Sequence, residues 1–127
     1  MKSFFALVFL FTLCLGNLRS EIKAILLCDP QAENIEKSVA ADMKHIQNAL
    51  HKISKKTNLP LSITLIANPY LKEPFIAHLK SVQIDPDDVV FFYFSGHGYR
   101  TEKKKDNQWP NLYLTTDHQA LDFKEIY

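Results

Sequence analysis

Val89-Val90-Phe91-Phe92-Tyr93-Phe94-Ser95-Gly96-His97-Gly98 is the stretch that decides the reading of this chain. Six β-branched and aromatic residues run without a polar interruption, which suits a strand buried on both faces. The run ends at a histidine held between two glycines, and the chain has only 3 glycines in all. Strands buried on both faces belong to parallel sheets, whose ligands and catalytic groups gather at the carboxyl ends of the strands. Glycine lets the backbone turn sharply or approach another group closely. Imidazole is the side chain whose proton exchange falls near neutral pH, so a histidine in this place suits general acid–base work. The plainer alternative is a loop histidine that only follows a strand.

Working outward, the pattern upstream alternates strand and helix. Ile22 to Cys28 reads as a first strand, broken by Asp29-Pro30. Val39, Met43, Ile46, Leu50 and Ile53 then recur at spacings of four and three, the stripe of an amphipathic helix. Asn34 or Ser38 is the expected cap, and Asn58 and Pro60 close the segment. Leu61 to Ile66 is a second strand. Leu71 to Val82 is a second helix, with Pro74 in its first turn, where a missing N–H costs little. Asp85-Pro86-Asp87-Asp88 is the turn before the third strand, Val89 to Phe94. The order β-α-β-α-β predicts right-handed crossovers and a parallel sheet covered on both faces. Beyond Gly98 a polar loop is expected through Gln108. Trp109 to Leu114 then reads as a short strand or the return arm of a hairpin. Asp117 to Tyr127 reads as the start of a helix, with Leu121, Phe123 and Ile126 as its apolar positions.

The block Ser95-Gly96-His97-Gly98, set directly after a hydrophobic strand, resembles the caspase-like cysteine peptidases: caspases, metacaspases and their bacterial relatives. The resemblance covers residues 22–127, the amino-terminal half of such a domain. It implies an α/β fold, a caspase-like three-layer sandwich with a mainly parallel central sheet, here incomplete at the C-terminus. It also implies proteolysis by a His/Cys dyad. His97 matches the catalytic histidine, and Gly98 the residue whose backbone N–H helps bind the oxyanion, a task suited to preorganised donors. Val39-Ala40-Ala41-Asp42-Met43 resembles the family segment in which an acid follows small or apolar positions. In the metacaspase branch that acid and the serine of the Ser-Gly-His-Gly block line the pocket for a basic side chain; here they are Asp42 and Ser95. The implied partner is a protein or peptide substrate, basic at the cleavage position. A solvated helix carboxylate is the competing reading of Asp42. A different histidine–cysteine peptidase of the same broad architecture, such as the legumain or separase type, is the more remote alternative.

The chain departs from the family at the nucleophile. In caspases that cysteine lies about 50 residues after the histidine, whereas only 30 residues follow His97 and none is cysteine. The expectation is a fragment or a catalytically incomplete relative, and the alternative function is a non-catalytic module that binds peptides or a partner, for which the exposed sheet edge is the natural place. Cys28 ends the first strand. It is read as a buried structural residue, with substitution for the missing nucleophile as the alternative. Ser95 is not a nucleophile elbow, because Tyr93 and His97 stand where that motif has glycine. His45, His51, His78 and His118 fall into no metal-ligand spacing and are expected at the surface. No metal and no cofactor is expected.

Length, charge and the amino terminus complete the frame. At 127 residues the chain is one small domain. A formal net charge of +1 argues against nucleic acid as a partner. Lys103-Lys104-Lys105 is bracketed by Glu102 and Asp106, the composition of a solvated loop. Residues 1–20 have a positive start at Lys2, an apolar run from Phe4 to Leu15, and small residues at Gly16 and Ser20. This is the layout of a secretory signal peptide. The run is short for a stable membrane span, so a cleaved leader is expected, with an uncleaved anchor as the lesser alternative. Without Lys2 and Arg19, the 15 basic residues fall to 13 against 14 acidic, net −1. One cysteine, Cys28, then remains in the mature part (residues 21–127), so export to a periplasm or beyond would not imply a disulfide scaffold.

Overall fold

The computed structural model describes residues 20–67, 72–100, 110–114 and 118–126. Three strands form a parallel sheet: β1 (Ile22–Cys28), β2 (Leu61–Ala67) and β3 (Val89–Ser95), in the order β2-β1-β3. Between them lie two helices, α1 (Glu36–Thr57) and α2 (Lys72–Ser81). The register is even from end to end. Ile22 pairs with Leu61 on one side and Val89 on the other, and Cys28 with Ala67 and Ser95. The carboxyl ends of all three strands therefore form one row.

The central position of β1 follows from its composition. Six of its seven residues are buried, and Lys23 is half-buried. A lysine there requires a partner: its Nζ lies 2.9 Å from Asp88 Oδ2 and donates to the Gln83 carbonyl at 2.6 Å. Asp88 also accepts the Glu21 N–H at 2.9 Å and the Asp85 N–H at 2.9 Å. This polar knot clamps the amino ends of β1 and β3.

Alternate residues of β1 serve different clusters, as the two-residue period of a strand requires. Ile22, Ala24, Leu26 and Cys28 pack with Val39, Met43 and Leu50 of α1. Leu27 belongs to a second cluster with Phe75 of α2 and with Leu112, Leu114 and Leu121. Those leucines come from a second, antiparallel sheet in the order β4-β5-β6: β4 (Gly98–Tyr99), β5 (Asn111–Leu114) and β6 (Gln119–Asp122). Lys72 Nζ ties α2 to this sheet by donating to the Ala120 carbonyl at 2.9 Å and pairing with Glu125 at 2.9 Å.

Several expectations need correction. The third strand is not buried on both faces: Val89 is 50 % exposed and Val90 46 %. Among the described residues β3 pairs within its sheet with β1 alone, so it is an outer strand, and its apolar composition overstates its burial. The segment read as a helix from Asp117 holds β6, followed by a 3-10 turn at Phe123–Glu125. Leu121 pairs with Leu112 and is fully buried, so hairpin pairing overrides a sparse apolar spacing that suits either element. Tyr99 lies in a strand with Gly98 and not in the expected loop, whose residues 101–108 are outside the described set. Neither expected cap serves α1. It begins at Glu36 after Ile35, with no side-chain cap hydrogen bond. Asn34 instead has a φ of 69°, and its N–H is accepted by Glu36 Oε1 at 3.3 Å. Asn58 does end the helix, in the left-handed conformation.

No described helix is long and apolar enough to cross a membrane. Apart from Ser20, the leader expected at residues 1–20 lies outside the described residues.

Candidate functional site

The strand order creates the site. From β1 the chain goes out to β2 on one side, and it returns to β3 on the other. The loops that leave the carboxyl ends of β1 and β3 therefore diverge, and in open α/β sheets that divergence makes the crevice where ligands bind. His97 stands there, exposed, at the bend between β3 and β4.

Its imidazole reaches across to the loop after β1. Nε2 lies 2.9 Å from the backbone carbonyl oxygen of Glu33. A carbonyl only accepts, so Nε2 carries the hydrogen and donates it. In the neutral ring the lone pair is then on Nδ1, the nitrogen able to take a proton. The main chain of His97 is held as well, its carbonyl accepting the Tyr113 N–H at 2.9 Å.

The two flanking glycines answer to close approach. Neither has a positive φ. A Cβ on Gly96 would stand 2.7 Å from the Phe94 ring and 3.1 Å from Asp29 Cβ. One on Gly98 would stand 3.1 Å from the Asn111 carbonyl oxygen. Gly98 lets β5 come in against β4, which holds the histidine's far side.

Asp42 and Ser95, distant in sequence, are brought together. Ser95 Oγ donates to Asp42 Oδ2 at 2.9 Å. Ser95 is 6 % exposed and Asp42 half-buried. The pair joins the first turns of α1 to the end of β3. Burial pushes the Tyr93 phenol up from its ordinary pKa, and the negative charge of Asp42 adds to that shift.

Cys28 is buried, in register with Ser95. It shares the carboxyl edge with His97, as adjacency of the first and third strands would require, yet it packs in the α1 cluster. His45, His51, His78 and His118 are all exposed. Among the described residues no group of three or more His, Cys, Asp or Glu is placed to hold a metal ion.

Two participants escape a reading of side-chain types. Glu33 contributes its backbone carbonyl, which carries no residue signature. Asp29 registers in the sequence only as half of a strand-breaking Asp-Pro, yet it is 1 % exposed at the base of the site.

Comparison with known proteins finds no matching family model, no matching curated protein and no matching solved structure.

Proposed function

We propose that this chain carries the histidine side of a caspase-like His/Cys endopeptidase site, on the amino-terminal half of a three-layer α/β domain that is exported through its leader. The observation that carries the proposal is the Nε2–H bond from His97 to the Glu33 carbonyl at a sheet switch point. It leaves Nδ1 as the ring nitrogen able to take up a proton. A thiolate attacks the scissile carbonyl, the C–N bond breaks, and the imidazolium returns a proton to the departing amine. The N–H of Gly98 assists at the oxyanion. Asp42, oriented by the Ser95 hydroxyl, receives a cationic side chain of the substrate, so cleavage follows Arg or Lys. Cys28, packed in the α1 cluster, is assigned a structural role and not that of the nucleophile.

The test is turnover by the intact native product on peptides carrying Arg, Lys or Asp before the scissile bond. The expected result is thiol-dependent cleavage after Arg or Lys, reduced about 100-fold or more by His97→Ala and retained in Cys28→Ser. A native product that neither cleaves nor reacts with thiol-directed peptide probes would sink the peptidase reading.

A second reading, a non-catalytic module binding a peptide or partner, is favoured by one observation. The outer strand β3 carries no charged residue and leaves Val89 and Val90 about half exposed. Edges of this kind accept an added strand.

A further inference from the structure

The loop between β1 and α1 is two consecutive turns, and one buried side chain organises the first. Asp29 Oδ1 accepts the Gln31 N–H at 3.1 Å. The Asp29 carbonyl accepts the Ala32 N–H at 3.1 Å, and the Ala32 carbonyl accepts the Ile35 N–H at 3.1 Å. Ala32 is fully buried and anchors the junction. Glu33, whose carbonyl receives His97, lies inside the second turn. Asp29 also touches the histidine's own segment. Its N–H donates to the Ser95 carbonyl at 2.8 Å, and its Cβ lies against Gly96.

We propose that Asp29 is a positioning residue for His97: its carboxylate holds the loop that presents the Glu33 carbonyl, and so sets which imidazole nitrogen carries the proton. The inference rests on the peptidase reading for its purpose, but not for its test. Asp29 at 1 % exposure is too deep to meet a substrate without rearrangement, so its effect passes through the loop and through Gly96. Carbonyl capture by the far nitrogen fixes the tautomer and ring orientation, as partners of the second ring nitrogen do in other histidine sites.

The experiment is 15N NMR of the His97 ring in the native full chain with labelled histidine, above the pH at which the ring is neutral. The wild type should show the Nε2–H tautomer alone. Asp29→Ala should lose that single-tautomer pattern, with the two nitrogen resonances moving toward one another. Asp29→Asn keeps an acceptor for the Gln31 N–H and should retain the wild-type pattern. Asp29→Leu keeps the branched shape at this buried position without an acceptor. It should reproduce the Asp29→Ala result, and it decides the matter if Asp29→Ala does not fold. A folded Asp29→Ala or Asp29→Leu protein with the wild-type pattern overturns the proposal, and so does loss of the pattern in Asp29→Asn. Peptide turnover, measured separately, bears on the peptidase reading alone: an inactive protein with an Asp29-dependent tautomer would retain this inference and lose that one.

Discussion

Gly96 and Gly98 show how a residue without a side chain shapes a site. Each is required because another chain segment passes within contact distance of where a Cβ would stand. Adding a methyl at Gly96 pushes against the Phe94 ring, which packs in the cluster around Leu27, and against Asp29. Gly96→Ala is therefore expected to cost about 1–3 kcal/mol, as overpacking does. It should also loosen the bond from His97 to Glu33. Denaturant unfolding gives the first quantity, and the His97 ring spectrum reads the second. An unchanged stability would mean that the ring moves aside without loss. The Ser95–Asp42 bond is a residue-scale fact of another kind. It joins two positions 53 apart in sequence, and nothing local to either one requires the other.

At the scale of elements, the parallel sheet depends on its central strand and on the knot at its amino edge. The Lys23 ammonium, bonded to Asp88, holds that carboxyl below the usual carboxylate range, and the same bond raises the Lys23 pKa. A lowered Asp pKa contributes stability that is present above the unfolded value, about 4, and is lost as pH falls through the lower folded value. The raised lysine contributes stability present below its unfolded value and lost as pH rises through the higher folded one. The melting temperature should therefore fall at both extremes, and Asp88→Asn should flatten both limbs. A variant whose pH profile matches the wild type would show the knot to be energetically neutral. Glu125, held low by its bond to Lys72, adds to the acid limb. The elements themselves were largely legible. The four-and-three spacing from Val39 to Ile53 marks α1, and the apolar run from Ala24 to Cys28 marks β1. The β6 segment was not legible, because Leu121 and Ile126 fit a helix until Leu112 is known to stand opposite Leu121.

At the scale of the whole molecule, the described sheet ends in outer strands β2 and β3, and neither carries a charge to discourage pairing. Val90→Lys places a charge on an exposed end of β3. It is expected to reduce concentration-dependent association, seen by light scattering, while changing stability by about 1 kcal/mol or less. Unchanged association would move the sticky surface away from this edge. Local pattern determined much of this protein: strands, helices, their order, the parallel sheet that order implies, and a histidine stationed where such sheets work. Those features follow from side-chain period, β-branching and the glycine and proline breaks, all properties of residues near one another in the chain. Tertiary structure alone decided that Val89 and Val90 stand about half exposed, that the Ser95 hydroxyl donates directly to the Asp42 carboxylate, and that the Glu33 carbonyl captures Nε2 near a buried Asp29. Each of these depends on which segments lie side by side after the crossovers, and a backbone carbonyl has the same chemistry at every position until the fold aims it.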